Sequence, residues 1–598
     1  MTIAEFIFNF LSEKQVDNVF MVSGGQAMFL DDALYRSKNI NVICTHHEQA
    51  AGMAAEAYGR ITGKLGVALV TAGPGSVNVI SGVVGGWTDS SPMMIISGQS
   101  NSYFVDYQRK SNIRQFGIQG IDIKPLVNKI TKFFVTVDDP SKILFYLQKA
   151  YYYAFSSRPG PVWIDVPLDI QSMEVPFRLL EEFIPEENNF DNFIINAEIS
   201  KIVGLILESK RPIIIAGQGL RLGSAILEFN KLVEITGIPV VTSRLGIDLI
   251  DSNNRQYVGR PGNYGERAAH FAIQNSDLII SLGCRLAASL VGHNAKDFGR
   301  NAKKVVIDID REELKKPGIN IDFAINADIK IFLSEMLKQL KKVNLPDYNK
   351  WVDNCNYWKK KYPVVLESYK DEVPVNSYFF TDRLSKYSKP KDMILLDTGS
   401  CFHVVSQVWK IKKGQRFLTT GGLSSMGYWA AGLGACVANN RKRTIVITGD
   451  GSLQFNIQEL ATIKHNKLPI KLFIFNNNGY LLIRQTQKNF MDGRLFGESP
   501  KTGVWCPDAL KIADAYEIKG VRISHPSEVD KKIEEVMEYD GPVICDVITP
   551  EWQLIIPRIA SEKLADGTLI AKPYEDMYPF LDREELRSNM IIKPEDEK

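Results

Sequence analysis

The sequence predicts an α/β protein: three doubly wound parallel-sheet domains and a C-terminal tail. Two observations carry this. Apolar, β-branched runs stop at glycine and give way to helical patterns, as in VALVTAGPG (67–75), PIIIAGQG (212–219), TIVITGDG (444–451) and LFIFNNNG (472–479). Buried strands followed by glycine turns and helices make βα units and parallel sheets. The second observation is a weak internal repeat. GPVWIDV at 160–166 returns as GPVICDV at 541–547, and TAGPG at 71 returns as TGDGS at 448, at nearly the same offset. Two similar α/β units therefore lie near the two ends of the chain.

The N-terminal run MTIAEFIFNFLSEKQ contains Glu5 and no basic stretch, so it reads as an amphipathic helix and not as a signal peptide. Residues 65–88 carry no charge, but glycines and Pro74 interrupt them. They read as a buried strand, a glycine turn and a buried helix, not a membrane span. These elements open a first domain, 1–175. The acidic run 177–193 breaks periodicity and marks a linker. A middle domain follows at 195–345, with strands at 212–216, 278–282 and 304–309. The polar, aromatic-flecked run 344–363 marks a second linker. The third domain is 370–550. The tail, 551–598, is rich in proline and charge, yet Trp552, Tyr574, Tyr578 and Phe580 are interleaved. Those aromatics predict that it packs on the body, near the active site.

Lys and Arg number 71 against 69 Asp and Glu, a net charge of +2, so neither nucleic acid nor an anionic membrane is an expected partner. A 45% hydrophobic and 23% charged composition excludes disordered, collagen-like and coiled-coil readings. Seven cysteines are scattered with no C-x-x-C pair, which argues against a zinc knuckle or a thioredoxin-type site. A sparse, odd set fits a reducing, cytoplasmic compartment.

The strongest motif is GDGSLQFNIQELATIKHNKLPIKLFIFNNNGY, 449–480. Gly449 and Gly451 flank Asp450 at a strand end, before a helical pattern whose free N–H groups can bind a diphosphate. Asp450 supplies one hard oxygen ligand. Asn477, ending the next strand, supplies a second, and the Gly479 carbonyl a third. With phosphate oxygens and water, these make an octahedral magnesium site.

The whole segment resembles the diphosphate–metal motif of thiamin-diphosphate enzymes, and within them the branch of acetohydroxyacid (acetolactate) synthase large subunits. The resemblance runs from Met1 to about Val547. It implies a pyrimidine-binding, a middle and a diphosphate-binding domain, thiamin diphosphate and Mg2+ as cofactors, and a homo-oligomer with active sites at the dimer interface. Glu48, in CTHHEQAAGMAAEAYGR (44–60), takes the place of the glutamate that bonds the pyrimidine N1′ and drives acid–base catalysis through the cofactor. Met426, in GGLSSMGYWAAGLGA (421–435), takes the place of the apolar wedge that bends the cofactor. The Ser424 carbonyl, where many relatives have glycine, takes the 4′-amino group. His403 is the one residue of DTGSCFHVV (397–405) that keeps the relatives' diphosphate loop pattern. Further cofactor contacts are implied at Gly24, Gly73, Asn78, Ser452, Tyr480 and Leu481.

At the substrate positions the chain departs from plain acetolactate synthases. Ile118-Gln119 stands for a Phe-Gln pair, Leu168 for a lysine, and LLIRQTQ, with Arg484 and Thr486, for a run holding an acceptor-selecting tryptophan. The reading is an enlarged acceptor side, with Gln119, Leu168, Arg484 and Thr486 as substrate candidates and Arg484, Gln485 and Thr486 as added donors. The implied function is decarboxylating transfer of an acyl unit, acetyl from pyruvate most simply, to a carbonyl acceptor, with a keto-sugar in view because the ends of the chain resemble synthase-like proteins of surface-polysaccharide pathways. Plain acetolactate synthesis, non-ligating decarboxylation, C–C cleavage, flavin-linked oxidation and a non-catalytic homologue stay open. In the middle domain, AGQGLRLGSA (216–225) with Arg285 and Asp308 partly matches flavin-binding relatives through Gly217 and Gly219. FAD, another adenine nucleotide and an empty domain stay open there.

Overall fold

The computed structural model describes residues 1–185, 192–563 and 569–593, so part of the expected first linker and the last residues of the tail lie outside it. Three six-stranded parallel sheets form its three domains. The first comprises β1 (Asn18–Met21), β2 (Asn41–Cys44), β3 (Gly66–Val70), β4 (Met93–Gln99), β5 (Phe133–Thr136) and β6 (Pro161–Pro167). The second comprises β7 (Pro212–Ala216), β8 (Val240–Thr242), β9 (Tyr257–Gly259), β10 (Leu278–Leu282), β11 (Lys303–Asp308) and β12 (Phe323–Asn326). The third comprises β13 (Met393–Leu396), β14 (Arg416–Thr419), β15 (Thr444–Gly449), β16 (Ile470–Asn476), β17 (Lys519–Ile523) and β18 (Val543–Ile548).

The first sheet runs β2-β1-β3-β4-β6-β5 and the third β14-β13-β15-β16-β18-β17, the same order. The weak repeat is thus a structural one: GPVWIDV is β6, GPVICDV is β18, and each lies between equivalent neighbours. Its buried aspartates play equivalent parts. Asp165 accepts from Ser97 on β4 at 2.7 Å and from Thr136 on β5 at 2.9 Å. Asp546 accepts from Asn476 on β16 at 3.0 Å and from Arg522 on β17 at 2.8 Å. Each carboxylate ties three strand ends together. The middle sheet, β12-β11-β10-β7-β8-β9, has the dinucleotide-binding order, reversing between β7 and β10.

The outer two domains share one hydrophobic core. Its centre is a helix crossing. The Glu48–Thr62 helix starts where His47 accepts from the Gln49 N–H and stops at left-handed Gly63. It lies against the Gly432–Ala438 helix so closely that a Cβ at Gly434 would sit 1.9 Å from the Ala54 carbonyl oxygen. The small-residue runs AAGMAA and AAGLGA permit that approach.

The 65–88 reading holds: β3 leads to helices Pro74–Asn78 and Ile80–Asp89. Two expectations change. The second linker is mostly a helix, Asn349–Lys361. Its Trp351, Cys355 and Trp358 make one apolar stripe at helical spacing and are buried in the middle-domain core. The tail, expected near the active site, lies mainly on the middle domain. Tyr574 stacks on His270 at 4.1 Å, Glu575 pairs with Arg300 at 2.8 Å, and Asn589 bonds Trp358. Tyr574 is buried in an apolar face there, and the start of the tail, Glu551, Trp552 and Gln553, meets the loops of the third domain's site. Among the described residues no helix is long and apolar enough to cross a membrane.

Gly434→Ala should force the two helices apart and cost about 1–3 kcal/mol, as overpacked cores do. Thermal unfolding of the purified chain checks this, and an unchanged melting temperature would show a looser crossing.

Candidate active site

The carboxyl end of the third sheet carries the GDG and NNNG turns. Asp450 joins them: its Oδ1 accepts the Gly451 N–H at 3.0 Å and its Oδ2 the Gly479 N–H at 2.8 Å. Burial pushes this carboxyl up to about 7, because the two backbone donors do not offset lost hydration. Asn477 is buried beside the same turn, and its Oδ1 has no hydrogen-bond partner among the described residues. An orphaned amide oxygen and a carboxylate with no cation are what a hard divalent ion would satisfy. Among the described residues no group of three or more His, Cys, Asp or Glu could hold a metal. An ion here needs oxygens from a ligand, and a diphosphate has them. The residues present therefore fit Mg2+ held jointly with a diphosphate.

Glycine is required at two of the predicted positions. Gly479 has φ +131°, and a Cβ there would meet the Glu498 carbonyl at 2.0 Å. A Cβ on Gly451 would strike the Tyr480 ring at 2.1 Å, so Tyr480 lies across the GDG turn. Gly449 ends β15, and buried Leu481 opens the Leu481–Phe490 helix. Sequence reading missed Asp397, the buried hub beneath this turn. It accepts from Ser452 at 2.6 Å, Thr448 at 2.7 Å and the Tyr428 N–H at 3.1 Å. Its only signal was a lone aspartate between a strand and a glycine, LLDTGS. Ser452 in turn accepts the Gly427 N–H at 2.8 Å, anchoring the loop with Ser424 and Met426. Ser424 has φ +53°, a region that favours glycine, which accounts for the glycine expected there.

The carboxyl end of the first sheet gathers a second group. Glu48 is buried and accepts from Asn78 Nδ2 at 3.0 Å. Gly73, at φ +60°, carries the chain past the Gln119 carbonyl, which a Cβ would meet at 2.6 Å, so Gln119 borders this turn. Gly24 abuts Thr71, where a Cβ would come within 2.5 Å. Its N–H bonds Asp31, a carboxyl that burial pushes up to about 6. Leu168 begins a short helix at the end of β6.

The expected substrate donors bond within the protein instead. Arg484 is 2% exposed. Its Nε donates to Glu498 at 2.6 Å, Nη1 to the carbonyls of Asn477 and Glu551, and Nη2 to those of Asn478 and Glu498. All five N–H groups meet protein acceptors, so Arg484 braces the NNNG loop and has no donor left for a substrate. Glu498 went unrecognised because nothing in its local sequence points to a partner on the preceding helix. Gln485 likewise donates to the Gln553 carbonyl at 2.7 Å, and exposed Thr486 to that of Leu482 at 2.9 Å. His403 lies against Tyr264 of the middle domain, their tilted rings 3.9 Å apart, and burial pushes its imidazole down to about 3.

The middle domain has a cavity of about 340 Å³ at its switch point, lined by Gln218, Arg285 and Asp308, with Asp89 and Arg158 from the first domain and Gly421 from the third. Gly217 and Gly219 serve the packing of turns: a Cβ on either would strike the 283–284 backbone at 2.1–2.6 Å.

Comparison with known proteins matches this arrangement domain by domain. The N-terminal thiamine pyrophosphate binding domain family matches 1–126, the central domain of thiamine pyrophosphate enzymes 199–336, and the C-terminal binding domain 397–547. A probable acetolactate synthase large subunit of Methanococcus aeolicus is 32% identical over 567 residues, 91% of each chain. The acetolactate synthase large subunit of Cyanidium caldarium is 33% identical over 579 residues, 93% of this chain and 94% of its own. The chain belongs to the thiamine pyrophosphate enzymes, in the acetolactate synthase large-subunit branch. That of Lactococcus lactis is 30% identical over 562 residues, 93% of this chain and 94% of its own. For a thiamine pyrophosphate enzyme, the two sheet ends are the natural places for the two ends of one cofactor.

Arg484→Met should leave Glu498 buried and unpaired, costing about 3–5 kcal/mol. Unfolding and Mg2+ titrations together check it: the brace predicts lower stability and weaker metal binding, and a change confined to the KM of an acceptor would contradict it.

Proposed function

We propose that this chain is a thiamin-diphosphate- and Mg2+-dependent carboligase that decarboxylates a 2-oxo acid, pyruvate most simply, and transfers the acyl unit to a carbonyl acceptor. The observation carrying this is the buried, unpartnered Asn477 oxygen beside the uncompensated Asp450 carboxyl. Asp450, Asn477 and the Gly479 carbonyl would hold Mg2+. Gly449, Gly451 and Ser452 would line the diphosphate, and Ser424 and Met426 the ring junction. Bound thiamin diphosphate supplies the carbon nucleophile and the electron sink. Glu48 holds a proton for the pyrimidine and, kept dry by burial and oriented by Asn78, returns it.

Among the described residues no hydrogen bond joins the Glu48 group to the Asp450 group. This supports a homo-oligomer in which the Glu48 end of one chain meets the Asp450 end of another. Seven unpaired cysteines, five of them buried, support a reducing, cytoplasmic setting. The middle-domain cavity suits a nucleotide such as FAD.

For the acceptor, the donors first assigned to it are spent on protein, and what remains is space. Ile118, Ile483 and Thr486 are exposed, and Leu168 offers no charge to a second carboxylate. This favours a bulky neutral carbonyl acceptor of the keto-sugar class. The second reading, plain acetolactate synthesis, has the names of the relatives in its favour.

Products from pyruvate alone and from pyruvate with keto-sugars decide between them. Coupled product only with the sugar is expected. Rapid acetolactate from pyruvate alone would favour the second reading, free aldehyde alone a simple decarboxylase, and a flavin that bleaches with pyruvate an oxidoreductase. Glu48→Gln should lower turnover at least a hundredfold with Mg2+ binding kept. Unchanged turnover would sink the catalytic reading.

A further inference from the structure

Asp89 stands where a carboxylate is unwelcome. It is the last residue of the Ile80–Asp89 helix, at the negative end of the helix dipole, and it is 3% exposed. What holds it there is the backbone of another domain. Its carboxylate accepts the Gly421 N–H at 2.7 Å and the Gly422 N–H at 2.8 Å, with Arg60 Nη1 at 3.2 Å. Arg60 also reaches the Thr419 carbonyl at 2.9 Å and the Tyr428 hydroxyl at 2.5 Å, and that hydroxyl donates to Glu56 at 2.6 Å. Glu56 and Arg60 lie one turn apart on the helix that begins with Glu48.

The contacts fall at the two ends of one loop, Thr419–Gly422 and Tyr428. Between them, residues 423–426 carry Ser424 and Met426 and are exposed or half-buried. Both glycines serve this docking. A Cβ on Gly422 would meet Thr88 at 2.6 Å, and one on Gly421 would meet Leu245 at 2.6 Å. The GG of GGLSSMG therefore lets the loop reach the Asp89 carboxylate. We infer that Asp89, Arg60 and Tyr428 are positioning residues of the cofactor site: from the first domain and the root of the loop, they set the path of 420–427 and so the aim of the Ser424 carbonyl and the Met426 side chain. The inference rests on the cofactor reading above. It adds that one chain's first domain shapes the cofactor loop of its own third domain, while its Glu48 serves elsewhere.

Asp89→Asn keeps the shape but turns an NH2 towards the donors around it. Tyr428→Phe removes the hydroxyl without changing charge. In the full-length apoprotein, amide hydrogen exchange across 418–427 should rise at least tenfold in Asp89→Asn and less in Tyr428→Phe, with other segments unchanged. The Kd for thiamin diphosphate with Mg2+, followed by tryptophan fluorescence, should stay within about threefold, because Asp450 and Asn477 are untouched. The kcat should fall at least tenfold with KM for pyruvate within about threefold. Wild-type exchange and kcat in the variants overturn the role, as does exchange raised evenly along the chain, which marks general loosening. If Asp89→Asn fails to fold, Tyr428→Phe decides. A wild-type chain that binds no thiamin diphosphate sinks the cofactor reading and this role with it, whereas binding by wild type with unaltered variants sinks the role alone.

Discussion

The close crossing of the Glu48–Thr62 and Gly432–Ala438 helices is the constraint on which the rest depends. It joins two domains of identical strand order into one core. The contact is possible only because neither helix presents bulk there; the Ala54 carbonyl occupies the space a Gly434 side chain would need. Beside the crossing lies a buried ionic group of Arg60 with Glu56 and Asp89. Buried charge is costly unless fully partnered. Here the surplus negative charge is met by the Ser91 hydroxyl and by the N–H groups of Gly421 and Gly422. Apolar packing brings the domains together, and the ionic group dictates the one register in which its partners are all present.

That register governs the chemistry. In a parallel sheet the strands end together, and their carboxyl ends present turns and helix N-termini to whatever binds there. The third sheet presents the oxygens of Asp450 and Asn477, and the first a buried acid with an amide to orient it. Neither set does acid–base chemistry alone. On the proposed reading each serves one end of a cofactor that itself carries the reaction, and the protein contributes placement, a dry environment and one proton site.

Arg484 shows how a residue can be noticed and misassigned. Sequence reading marked it as a departure from the expected run and gave it a ligand. In the fold it lies under the loop, with each N–H on a carbonyl or carboxylate. A guanidinium has five donors and no means of shedding its charge, so once buried it must be surrounded by acceptors, and the carbonyls of the metal loop are the nearest. The error concerns side-chain direction, which strand and glycine patterns do not encode.

By itself the sequence determined the three α/β units, the relation between the outer two, and the GDG and NNNG turns that meet at one sheet end. These are local facts. A strand is legible from its apolar run, a turn from its glycine, and a metal loop from oxygen-bearing residues at the two ends of one βαβ unit. Tertiary structure alone decided that Asp397 and Asp89 support the cofactor loop, that Arg484 is a brace, that the second linker is a core helix and that most of the tail covers the middle domain. Each of those depends on partners far away in the chain, such as Asp89 with Gly421 or Tyr574 with His270. A carboxylate's role is set by which donors converge on it in space, and that convergence exists only after the domains have docked.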